Sequence, residues 1–123
     1  MTRDELKERT KKFAVRIVKL VQYLEKNHGL VVRKIGDQIL RSGTDIYSNY
    51  RAACRSKLPK DFILKMGTVV KEPDETLGWL ELMVASNILN EVTVESLLKE
   101  ADELTAVMTA SRSTSISKHS NNF

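Results

Sequence analysis

The chain has 123 residues, 29% of them charged and 41% hydrophobic, which suits one globular core and argues against a disordered polymer. Its single cysteine, Cys54, leaves no intramolecular disulfide framework, and no apolar run approaches the ~20 residues of a membrane span. The net charge of +4 is unevenly spread, with +9 over residues 1–60 and −5 over residues 61–123, a pattern that fits either nucleic-acid binding or a basic half packed beside an acidic one.

With only 5 Gly and 2 Pro, long uninterrupted helices are favoured. The first is predicted over residues 3–26, where Leu6, Phe13, Ile17, Leu20, Val21 and Leu24 share one face, and Gly29 offers a stop. The second is predicted over residues 31–57, with a seam of Val32, Ile35, Ile39, Gly43, Ile46, Tyr50 and Ala53 at steps of three and four. Pro59 opens the third, over residues 59–86, with the stripe Phe62, Met66, Val69, Pro73, Leu77, Leu80 and Val84 and a kink expected at Pro73. The fourth is predicted over residues 93–111, with Thr93 as N-cap and Glu95 in the first turn. The Ser-rich remainder, residues 112–123, is expected to be disordered. Short connections between helices about 30–40 Å long imply an all-α, up-down-up-down antiparallel four-helix bundle over residues 1–111.

Catalytic chemistry finds little support. His28 and His119 lie in a predicted loop and tail, Cys54 is alone, and Glu72 and Glu75 lack the histidines of a metal pair. Gly36 and Gly43 are seven apart on a helix, not clustered before one as in a phosphate loop. The chain therefore reads as a non-enzyme without catalytic or metal-binding residues and without a cofactor. The N-terminal MTRDELKERTKK has no apolar leader segment, so a cytoplasmic location is expected.

Two polar constellations stand out. In RSGTDIYSNYRAACR, residues 41–55, Ser42, Asp45 and Asn49 share a face flanked by Arg41, Arg51 and Arg55. In KEPDETLGWLEL, residues 71–82, Glu72, Glu75, Trp79 and Leu82 form another. These polar rows are expected at an interface: they can pair Arg with Glu between neighbouring helices, or, helped by the small residues Ser42, Gly43, Ala52 and Ala53, meet a second subunit. A ligand or RNA contact by the same arginines is the competing reading. Trp79 fits an interface anchor or the chain's own core equally well. Lys7, Arg9, Lys11, Lys12, Arg16 and Lys19 crowd the first helix, with Arg33 and Lys34 after the turn; they are either a solvated face or candidate nucleic-acid contacts. Tyr23, Tyr47 and Tyr50 are candidates for base stacking, although Tyr50 lies on the core stripe.

The segments ILRSGTDIYSNYRAACRS and VVKEPDETLGWLELM, with RTKKFAVRIVKLVQYL and LLKEADELTAVMTAS, resemble the four-helix-bundle family of 23S rRNA intervening-sequence proteins over nearly the whole chain, to about residue 111. The matching positions are Arg41, Ser42, Gly43, Thr44, Asn49, Tyr50 and Arg51, then Lys71, Glu72, Asp74, Glu75, Trp79 and Leu80. The resemblance implies a bacterial, cytoplasmic homopentamer associated with RNA or DNA, in some relatives as an accessory of diversity-generating retroelements with a reverse transcriptase as partner. It also leaves room for an oligomeric adaptor that binds another protein and no nucleic acid. Ala52 stands where the family pattern has a glutamate, Pro73 where it has alanine, and Gly78 where it has an aromatic residue.

Overall fold

A computed structural model describes residues 1–26 and 29–120. They form five helical segments: α1 (Arg3–Leu24), α2 (Leu30–Cys54), α3 (Pro59–Val69), α4 (Lys71–Ala85) and α5 (Glu91–Ser120). Thr2 starts α1 through a capping box: its hydroxyl accepts from the Glu5 N–H, and the Glu5 carboxylate accepts from the Thr2 N–H. α1 then ends at Leu24, and Gly29, expected as its stop, instead precedes α2 in extended conformation. His28 lies outside the described residues.

α3 and α4 are the expected third helix, bent once. The break falls at Val70, three residues before Pro73. Pro73 has no N–H for the Val69 carbonyl, and its ring crowds that same carbonyl, so the disturbance appears a turn upstream of the proline. α4 closes with Asn87 at φ 60°, a left-handed turn that asparagine tolerates. The cap of α5 differs from expectation. Asn90, not Thr93, supplies it, its Oδ1 accepting from the Val92 N–H at 2.9 Å.

Register shows the topology. Gly43 faces Ile17 and Gly36 faces Val21, so α1 and α2 are antiparallel. Asn49 meets Glu72 and Ser42 meets Thr76, so α2 and α4 are antiparallel as well. Arg112 near the end of α5 donates to the Ile63 carbonyl near the start of α3 at 3.2 Å, and Arg9 on α1 reaches Glu100 on α5. The four rods therefore alternate in direction around one core.

That core includes Phe13, Ile17, Ile39, Ile46, Tyr50, Met66, Leu80, Leu104 and Met108, all essentially excluded from water. The stripe of the bent helix departs from expectation beyond Pro73: Thr76 and Met83 are buried, whereas Leu77 and Val84 are half-buried. Thr10 joins the core on α1, its hydroxyl satisfied by the Lys7 carbonyl at 2.8 Å. α5 also runs on through the Ser-rich stretch to Ser120, so residues 112–120 are helical where disorder was expected. The Arg112 clamp onto α3 supplies tertiary contact that composition does not reveal; residues 121–123 lie outside the described residues.

A Cβ on Gly43 would stand 2.8 Å from Ile17 Cγ1 and 2.9 Å from its Cγ2. This glycine therefore admits the chain's own α1, not a helix of another subunit. Gly43→Ala is expected to gain up to about 1 kcal/mol in helix propensity and lose about 1–3 kcal/mol to overpacking, a net destabilisation of about 1–2 kcal/mol in urea unfolding. In a double-mutant cycle with Ile17→Ala the two losses should be less than additive; strict additivity would mean that the close approach is not what constrains the site.

Candidate interaction surfaces

The polar rows of α2 and α4 face each other. Thr76 Oγ1 donates to Ser42 Oγ at 2.9 Å, and the Ser42 hydroxyl donates to the Gln38 carbonyl at 2.8 Å. Farther along the seam, Asn49 Nδ2 donates to Glu72 Oε1 at 2.6 Å. At the outer margin Arg41 pairs with Glu75, whose carboxylate also lies 3.5 Å from Trp79 Nε1.

Six of the eight residues expected in an oligomer interface are thus brought together inside one chain. Ser42 is fully buried and Glu72 is only 5% exposed, both closed over by the chain's own helices and not by a sister molecule. Arg41 is exposed and Glu75 and Trp79 half-exposed, so these three still reach the outer edge. Arg51 and Arg55 are not part of the seam. Both are exposed, and Arg51 lines a shallow groove with Tyr47, Lys7 and Lys11 of the α1/α2 face. Thr76, which completes the seam, was missed by the sequence reading because a threonine among leucines carries no signal of burial.

Glu72 is unusual. Its Oε1 has the Asn49 partner, but its Oε2 is buried with none among the described residues. Burial raises its pKa from 4.5 to about 7; the Asn49 hydrogen bond opposes the shift, Asp45 adds to it, and Arg41, already engaged by Glu75, opposes it at longer range.

The basic residues of α1 divide into two groups. Arg9 is committed to α5: its Nε and Nη2 donate to Glu100 at 2.9 and 2.5 Å, and Nη2 also reaches Glu103 at 2.9 Å. Glu100 holds the guanidinium above its ordinary pKa. Arg9 is therefore a structural cation and not the free nucleic-acid contact that its place in the sequence suggested. Lys7 pairs with Asp4 at 3.1 Å. Lys12, Arg16, Lys19 and Tyr23, by contrast, follow steps of four, three and four and are all exposed. They form one outward stripe toward the α5 side, where Arg16 also donates to Ser96 Oγ at 2.8 Å. No acidic residue occurs from Arg9 to Leu24. Lys11, Arg33 and Lys34 are exposed at the flanks. Tyr50 is buried, which removes it as a stacking residue.

Among the described residues, no group of three or more His, Cys, Asp or Glu is placed to hold a metal ion, and no helix is long and apolar enough to cross a membrane. The family model of the 23S rRNA-intervening sequence protein matches residues 4–110, a span that contains the seam, the α1 stripe and the Arg9 pairs. The chain belongs to that family. A solved structure from Bacteroides thetaiotaomicron VPI-5482, described as a protein of unknown function from the S23 ribosomal protein family, is 32% identical. The similarity covers 92% of this chain and 99% of that one, with a TM-score of 0.82. No curated protein matches the chain. In this member of the intervening-sequence family, α5 continues ten residues past the end of the family match, from 111 to 120.

The Glu72 environment has a measurable consequence. Its folded-state pKa is raised, so the folded chain holds a proton that the unfolded chain releases between about pH 4.5 and pH 7. Stability should therefore fall as pH rises through that window, by on the order of 2 kcal/mol. Glu72→Gln should flatten this portion of the urea-midpoint profile from pH 5 to pH 8. Parallel profiles for the two proteins would remove Glu72 as the cause.

Proposed function

We propose that this protein is a non-enzymatic homo-oligomer that associates with nucleic acid, RNA foremost, through the outer stripe of α1. The observation that carries this reading is the exposed row Lys12, Arg16, Lys19 and Tyr23 in a stretch of α1, residues 9–24, that contains no acidic residue; Glu5 and Glu8 lie on the same face but before it. From Lys12 to Tyr23 the row spans about 16 Å of helix, long enough for the side chains to follow successive phosphates while the tyrosine ring offers a stacking surface. Membership of the intervening-sequence family supports the RNA assignment, and a retroelement accessory role with a reverse transcriptase partner is the narrower version of it.

Self-association of the head-to-tail kind needs two different, complementary patches on each copy. Two are available. Val15 and Val18 lie exposed on the α2 side of α1, with Val15 one turn from Lys11 and Lys19. At the other edge, Leu82 is exposed and Trp79 half-exposed on α4, with Val31 exposed on the antiparallel α2. A ring built on these contacts would repeat the basic stripe around its circumference. Five is the subunit number that the family resemblance implies for such a ring. The same Trp79 edge supports the second reading, an adaptor that docks a partner protein and touches no nucleic acid.

Light scattering of the purified chain should give about 70 kDa, five times the 14.0 kDa chain; Leu82→Glu should lower it, and a 14-kDa particle at micromolar concentration would end the ring. In a gel-shift titration, RNA binding should weaken steeply between 50 and 200 mM salt. The variant Lys12→Glu with Lys19→Glu should lose roughly tenfold or more in affinity at low salt and reduce the salt slope by about 2. RNA binding that is unchanged in that variant would place the interface elsewhere, whereas a stoichiometric protein partner recovered after nuclease treatment would favour the adaptor.

A further inference from the structure

A cavity of about 270 Å³ opens where the start of α1, the α2–α3 connection and the last turns of α5 converge, remote from the seam and from the α1 stripe. Arg3, Lys57, Lys118 and His119 reach its wall, and no carboxylate stands among its described lining residues. Arg3 is held in place, its guanidinium carbon lying 4.1 Å from the centre of the Phe62 ring in a cation–π contact. Ser56 also lines the cavity, and its hydroxyl oxygen is hidden from water with no hydrogen-bond partner among the described residues.

The local charge is not exhausted by the fold. The C-termini of α2 and α5 each present about half a negative charge, together enough to offset one of the cations Arg3, Lys57 and Lys118. The N-terminus of α3 has no side-chain cap, since Leu58 precedes it, and it adds positive potential of its own. About two positive charges therefore remain over a recess whose volume equals that of roughly nine waters. That is the charge of a phosphate monoester and ample room for its phosphate group.

We propose that this cavity binds a phosphate monoester, with Arg3, Lys57 and Lys118 as its charged contacts. Inorganic phosphate, a mononucleotide and the phosphorylated end of an RNA strand share that chemistry. Only the last rests on the nucleic-acid reading above. A recess takes one phosphate, whereas the α1 stripe would follow a backbone, so the two surfaces fail independently.

Isothermal titration calorimetry of the full chain, with inorganic phosphate, AMP, and a pair of RNA oligonucleotides that differ only in a 5′-phosphate or 5′-hydroxyl, tests this. Saturable binding of phosphate or AMP at one site per chain is expected. Roughly tenfold tighter binding of the 5′-phosphorylated RNA would identify a strand end as the occupant; phosphate or AMP binding without that preference supports the site with a free small molecule in it. Lys57→Gln with Lys118→Gln should abolish the phosphate and AMP heats, with an unchanged helical spectrum, while leaving 5′-hydroxyl RNA binding through α1 intact. No heat from any phosphate-bearing probe, or heats that persist in the double variant, would overturn the proposal.

Discussion

Ser42, Thr76, Asn49 and Glu72 have to find one another, because Ser42, Thr76 and Glu72 are buried and Asn49 is only partly exposed. A shift of α4 along α2 by a single turn would keep apolar faces in contact but strip buried hydrogen bonds, each worth about 1–3 kcal/mol once its partner is lost. The polar seam therefore fixes register where the apolar stripes only fix which faces meet. The α1–α2 contact at Gly43 then sets how close the first helix stands, and the Arg9 and Arg112 contacts bring α5 across to complete the ring of rods. Everything presented on the outside, from the lysine stripe to the Trp79 edge, takes its position from these inner constraints.

The uneven charge of the chain has a mixed physical meaning. Part of it is internal: Arg9 is answered by Glu100 and Glu103 on α5, and Arg41 by Glu75 on α4, so two basic residues from the first half pair with acids from the second. The rest stays outside. Lys12, Arg16 and Lys19 retain exposure along a stretch of α1, residues 9–24, without acidic residues, which separates cations that hold the bundle together from those left facing outward.

Much of the fold was legible because a 3.6-residue period is hard to disguise: the stripes of α1, α2 and α5 mark their buried faces in the sequence, and two prolines mark a start and a bend. What periodicity cannot say is what covers a face. Ser42, Asn49 and Glu72 were visible as a shared polar row, but spacing alone does not distinguish the chain's own α4 from a neighbour. Thr76 and Glu72 lie in the interior where Ser42 and Asn49 of α2 meet their side chains, a fact that requires α2 to be present. Arg9 was indistinguishable from Lys12 in the sequence because its partner lies 91 residues away. The helical course of residues 112–120 was hidden for the same reason: a Ser-rich composition disfavours helix locally, while contacts such as that between Arg112 and the α3 backbone act from outside the segment.

The interruption at Val70 gives the third rod two mechanical parts. α4 is gripped by the seam and carries the Trp79 edge; α3 is gripped by Arg112 and borders the basic recess through Phe62. A missing hydrogen bond between the two is a compliant coupling, so strain introduced on one side is absorbed at the joint instead of being passed along a continuous helix. The recess and the Trp79 edge thus lie on opposite sides of that joint, each on a separately anchored helix.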